Sequence, residues 1–281
     1  MTSKALSWFR RYALVWYFIL TYAISWSFMI PVAVAAQGLV DWNVPSALYY
    51  LASFGPMASA LIVTAITEGR AGLGNLLGRL LHGRLAFRYY AFSVGLPFAL
   101  FGLSAATHLL TTGSWPDFTL LGKLDYLPTL GIPGALGVWL LTYGMGEEVG
   151  WRGFALPHLQ KNRTAASSAL ILGVLWTLWH TPAFFFRDTY MAMGVFVLPA
   201  VFISVTFASV IFTWLYNATQ GSLLVVILFH ALFDWLATSE AGGQYASLVM
   251  GAGAAAWAVY IMRRYGPENA APLPKQIPAS A

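Results

Sequence analysis

Long apolar runs separated by short polar connections account for most of the chain. Eight stand out, over about residues 12–36, 46–66, 89–110, 127–146, 165–185, 193–216, 222–238 and 246–262. A helix crosses the hydrocarbon of a bilayer with about 17–25 apolar residues, and these runs fall in that range. They lack the alternation of a lipid-facing strand. Inside lipid every backbone amide needs an internal partner, so a spanning chain is helical or a closed barrel. The pattern predicts an all-α polytopic membrane protein of about eight transmembrane helices around a polar cavity.

The connections report orientation. With the N-terminus inside, the inner segments hold Lys4, Arg10, Arg11, Arg70, Arg79, Arg84, Arg88, Arg152, Lys161, Arg163, Arg263, Arg264 and Lys275. The outer segments hold Lys123 and Arg187. Thirteen against two is a strong positive-inside bias, and it places both termini in the cytoplasm. Residues 72–90 carry Leu73, Leu76, Leu77, Leu80 and Leu81 at helical spacing among basic residues. They read as an interfacial helix on anionic headgroups. The first run follows Lys4, Arg10 and Arg11 and ends in Ala33-Val34-Ala35, which resembles a signal-peptidase site. Its apolar stretch of about 19 residues exceeds the 7–15 of a signal sequence, so a retained helix is expected. Pro267, Pro272, Pro274 and Pro278 mark a tail expected to be disordered. The resulting organisation is 1–126 for the N-terminal helices and interfacial helix, 127–240 for a catalytic core, 241–265 for the last helix and 266–281 for the tail.

Composition agrees with this class. Hydrophobic residues make up 59% of the 281 and charged residues 9%, against about 25% in a soluble domain. Mean hydropathy is +0.68. There is no cysteine, which excludes disulfides, a thiolate nucleophile and cysteine-ligated metals. The net charge of +5 is spread over the connections rather than gathered in a patch, so nucleic acid is not an expected partner. The expected partners are membrane lipid and a peptide or protein, which includes membrane-anchored ones. The expected location is the plasma membrane of a bacterium or archaeon.

Five ionisable residues remain at membrane depth: Glu147 and Glu148 ending the fourth run, His180 in the fifth, and His230 with Asp234 in the seventh. A charge at the bilayer centre costs at least about 2.5–3.5 kcal/mol, so such groups face a cavity and carry function more often than packing. Glu148 and Arg152 stand at i and i+4 and can pair, which makes them structural support. Glu147 is turned about 100° away on the helix and is left free for acid–base work, which burial of a carboxylate favours. His230 and Asp234 also stand at i and i+4, so Asp234 can hold the imidazole in one tautomer. These groups suit hydrolysis of a peptide bond near the cytoplasmic face. Glu147 would deprotonate water, His180 would position it, His230 would stabilise the oxyanion and Asp234 would orient His230. Glu147, His180, His230 and Asp234 alternatively compose a zinc set with water. The H-E-x-x-H signature of zinc proteases is absent, as are a serine elbow and a second intramembrane aspartate.

Glu147-Glu148-Val149-Gly150-Trp151-Arg152 resembles the E-E-x-x-x-R motif of the CAAX-protease and bacteriocin-processing (CPBP) family. Trp176 to His180 is similar to its F-x-x-x-H motif, with Trp for Phe, and His230 to Asp234 to its H-x-x-x-N/D motif. The stretch Tyr216 to Leu223 also looks like the family, and the resemblance covers about residues 127–240. It implies an eight-helix intramembrane endopeptidase open to the cytosol. Glu147 would be the base, His180 its partner, and His230 with residue 234 the oxyanion site. Members are often labelled metalloproteases, but a glutamate mechanism requires no cofactor; zinc is the alternative. Trp176 is expected to change packing alone. Asp234 cannot donate a hydrogen bond while ionised, so orienting His230 fits it better than oxyanion binding. Two other classes compete. One is a non-catalytic membrane partner, an immunity or scaffold protein of the same fold. The other is a proton-coupled transporter, although no matched halves are visible.

Overall fold

Each apolar run folds as a helix, and the polar connections turn the chain back across the layer. The computed structural model describes residues 3–278 and contains no strand among them. A short amphipathic helix, α1 (Ser3–Arg11), leads into α2 (Ala13–Ala36), α3 (Ser46–Thr67), α4 (Gly69–Gly78) and α5 (Phe87–Thr112). Residues 131–160 make one continuous helical rod, α6. Then come α7 (Ala165–Trp179), α8 (Val197–Ala218), α9 (Leu223–Thr238) and α10 (Ala246–Asn269).

Six helices are long and apolar enough to cross a bilayer: α2, α3, α5, α7 with the turn after it, α8 and α10. The rod α6 and the 16-residue α9 complete a set of eight among the described residues. At about 24 Å, α9 is shorter than a bilayer core of about 30 Å. It packs on α5 and on α6, and α6 is wedged between α9 and α3. Helix α2 lies on α3, and α8 lies between α7 and α10. This places α6 at the centre of the bundle.

The rod departs most from expectation. Its apolar run was expected to end at residue 146, yet the helix continues to Gln160 with Glu147, Glu148 and Arg152 all buried. Two stretches, Leu140–Glu147 and Trp151–Ala155, are π-helical, a geometry that often occurs at functional sites. Glycines let the rod approach its neighbours closely. A Cβ on Gly146 would sit 2.7 Å from the Ser53 carbonyl oxygen, and one on Gly150 2.5 Å from the Pro56 backbone.

Two further expectations change. Within 72–90 the helix stops at Gly78, and Arg79 turns inward, where its Nη1 donates to the Gly153 carbonyl at 2.8 Å and to the Tyr216 hydroxyl at 2.5 Å. The tail, expected to be disordered from Gly266, is held against the bundle as far as Pro278. After a kink at Gly266 (φ 71°), Ala270 and Ala271 are buried. Asn217 donates to the Asn269 carbonyl at 2.9 Å and accepts from the Gln276 amide at 3.0 Å. Gln160 donates to the Gln276 carbonyl at 2.7 Å. Residues 279–281 lie outside the described residues.

Candidate active site

Both acids of the rod have a donor one turn onward. Arg152 Nη1 donates to Glu148 Oε1 at 2.7 Å, with both side chains fully buried. Trp151 Nε1 donates to Glu147 Oε2 at 3.3 Å, and Trp176 Nε1 of α7 donates to the same oxygen at 2.8 Å. Glu147 is 1% exposed and has no ion-pair partner among the described residues. The Arg152 guanidinium lies over the adjacent rings of Trp176 and Phe212, 4.5 and 4.4 Å from their centroids. The two rings supply cation–π attraction where water is excluded.

His230 sits between two carboxylates. Its Nδ1 is 2.8 Å from Glu148 Oε1 and its Nε2 is 3.2 Å from Asp234 Oδ2. Ionised carboxylates only accept, so both ring nitrogens act as donors. Glu148 therefore does more than balance Arg152: it also fixes the ring. His180 caps the end of α7, where Pro182 prevents further helix. Its Nδ1 donates to the Trp176 carbonyl at 2.7 Å, leaving Nε2 as an acceptor. Among the described residues no hydrogen bond joins His180 to Glu147, Glu148, His230 or Asp234. Its link to them is Trp176, whose ring centroid is 6.0 Å from that of His180 and 5.4 Å from that of His230.

The structure joins Glu148, Arg152, His230 and Asp234 in one network and sets Glu147 and His180 beside it, each hydrogen-bonded to Trp176. Three details differ from the sequence reading. Arg152, counted among inner-loop cations, is buried in the bundle. Trp176, expected to alter only packing, supplies an N–H that phenylalanine lacks. The rod does not end at the acids: Glu147 is 13 residues from Gln160, about 20 Å along it. Trp151 and Trp176 were not singled out as donors. Their i+4 and i−4 spacings from Glu147 and His180 were the available signal.

The four side chains considered for zinc do not form a ligand set. Both nitrogens of His230 are engaged by carboxylates, and the hydrogen-bonded Glu147 oxygen is taken by two indoles. Among the described residues no three His, Asp or Glu are placed to hold a metal ion.

Residues 129–236, which contain the whole network, match the family described as type II CAAX prenyl endopeptidase Rce1-like. That match covers the central helices, from α6 to α9, and less than half of the chain. CAAX prenyl protease 2 of Methanococcus maripaludis is 28% identical over 130 residues, covering 43% of this chain and 45% of that protein. The match thus spans less than half of that relative. The family and the helices together make this chain an integral membrane protein.

Proposed function

We propose that the chain is an intramembrane endopeptidase in which Glu147 activates water for attack on a peptide carbonyl. The observation that carries this reading is the contrast between adjacent acids. Glu148 is neutralised by Arg152 and His230, whereas Glu147 is buried with only indole N–H partners. A carboxylate so placed retains lone pairs for a water proton.

In the proposed sequence Glu147 takes a proton from water as its oxygen attacks the carbonyl carbon. The acceptor Nε2 of His180 takes the water's second hydrogen bond and fixes its direction. His230 Nε2–H receives the developing oxyanion once the substrate carbonyl displaces Asp234, whose side chain is 38% exposed. Glu148 holds the ring by Nδ1 throughout. As the tetrahedral intermediate collapses, the C–N bond breaks and Glu147 returns its proton to the leaving amine.

The family and the relative's name direct the choice of substrates: a prenylated CAAX peptide first, and an unmodified membrane-anchored peptide beside it. The test is cleavage of these peptides by purified protein, compared with Glu147→Gln. Loss of cleavage in a variant that keeps its melting temperature is expected. Wild-type rates in folded Glu147→Gln would end the proposal. Chelators are expected to leave the rate unchanged, and inactivation reversed by zinc would restore the metal alternative.

A further inference from the structure

We infer that Arg79 is a positioning residue, which holds α6, α8 and α9 at the register that brings Glu148 onto His230. Its effect on cleavage rests on the endopeptidase reading; its effect on the His230 ring rests on geometry alone.

Arg79 follows α4 and precedes residues 129–236, so it lies outside the segment that matches the family. It nevertheless bonds to three helices of that segment. Its Nη1 donates to the Gly153 carbonyl on α6 and to the Tyr216 hydroxyl on α8. The Arg79 carbonyl accepts from the amide of Leu223, the first residue of α9, at 3.0 Å. Close by, the His82 carbonyl accepts from the Ser222 hydroxyl at 2.7 Å, which pins the same end of α9 a second time. The packing around this tie is tight: a Cβ on Gly153 would sit 2.8 Å from Leu76 of α4 and 3.2 Å from Leu223.

Each anchor point governs a member of the network. Gly153 follows Arg152 in the π-helical stretch Trp151–Ala155. A carbonyl carries two lone pairs, so its helical bond leaves room for an outside donor that fixes where the stretch lies. Tyr216 stands one turn after Phe212, whose ring covers Arg152 and lies 5.0 Å from the His230 ring. Leu223 lies two turns before His230 on the same face of α9, about 10 Å along it. The bond these anchors serve joins His230 Nδ1 to Glu148 Oε1 at 2.8 Å and crosses from α9 to α6. A displacement of about 1 Å along it ends the hydrogen bond. Misplacement of a reacting group by that amount costs on the order of 100-fold in rate.

The test separates register from stability. Arg79→Met removes both side-chain bonds and keeps the backbone bond to Leu223. Both side-chain bonds come from one nitrogen, and Arg79→Lys again supplies one nitrogen with N–H donors for two bonds. Protein carrying isotope-labelled histidine, purified in detergent, gives the ring N–H signal of His230, assigned by its loss in His230→Gln. In Arg79→Met this signal is expected to move, and kcat to fall about ten- to hundredfold at unchanged KM. In Arg79→Lys both are expected to return toward wild type. Tyr216→Phe deletes one of the two bonds, keeps the ring and is expected to move the signal in the same direction; it carries the test if Arg79→Met does not fold. An unmoved His230 signal, or wild-type kcat in a folded variant, overturns the inference even where the melting temperature has dropped. If the wild type cleaves no peptide, the endopeptidase reading fails alone, and the His230 signal still decides whether Arg79 sets the register.

Discussion

Glu147 and Glu148 are identical side chains one position apart, and their neighbours alone make them different. Replacing Glu148 by Gln leaves Arg152 as an uncompensated buried cation. A loss of about 3–5 kcal/mol is expected, seen as a lower melting temperature in detergent. Glu147→Gln removes no ion pair and is expected to keep that temperature. Trp176→Phe retains the ring over Arg152 but deletes the 2.8 Å hydrogen bond to Glu147. A hydrogen bond to a charged group contributes about 1.5–3 kcal/mol. If that is realised in the transition state, kcat falls about ten- to hundredfold at unchanged KM. Asp234→Asn keeps an acceptor for His230 Nε2, so it is expected to slow cleavage less than Asp234→Ala does. The pairings Glu148–Arg152 and His230–Asp234 were legible because i,i+4 spacing fixes a shared helix face. The contact between His230 and Glu148 was not, because 82 residues separate them and only packing of α9 on α6 joins them.

At the scale of elements, runs of apolar residues located the helices to within a few positions, because length and hydropathy are properties of one segment. The end of α6 was missed for a physical reason. A stretch reading EEVGWRG signals an exit to water when taken alone, yet its charges are paired within one turn and its glycines fit against α3. Gly150→Ala tests that fit. The added methyl would meet backbone atoms of Pro56 that cannot rotate away, so destabilisation of about 1–3 kcal/mol is expected in a thermal melt. The proline-rich tail misled in the opposite sense. Composition describes what a segment does by itself, and the order of residues 270–278 comes from amides on α6 and α8.

For the whole molecule, Asn217 joins three distant parts of the chain. Its amide exchanges hydrogen bonds with Gln160 at 2.8 and 3.1 Å while holding Asn269 and Gln276. Asn217→Ala leaves buried Gln160 with unmet polar atoms, and a cost of about 1–3 kcal/mol is expected by the same melt. The all-helical membrane architecture was readable from sequence because lipid acts on every helix alike. The position of the cluster along the bundle was not, since it depends on how far each helix slides past its neighbours. The ion pair inside one turn of α6 also bears on biogenesis. Arg152 and Glu148 cancel each other before any other segment arrives, so the nascent helix presents the insertion machinery with one net charge rather than three. A central helix built to be nearly neutral by itself can enter the membrane early and wait for the partners that later enclose it.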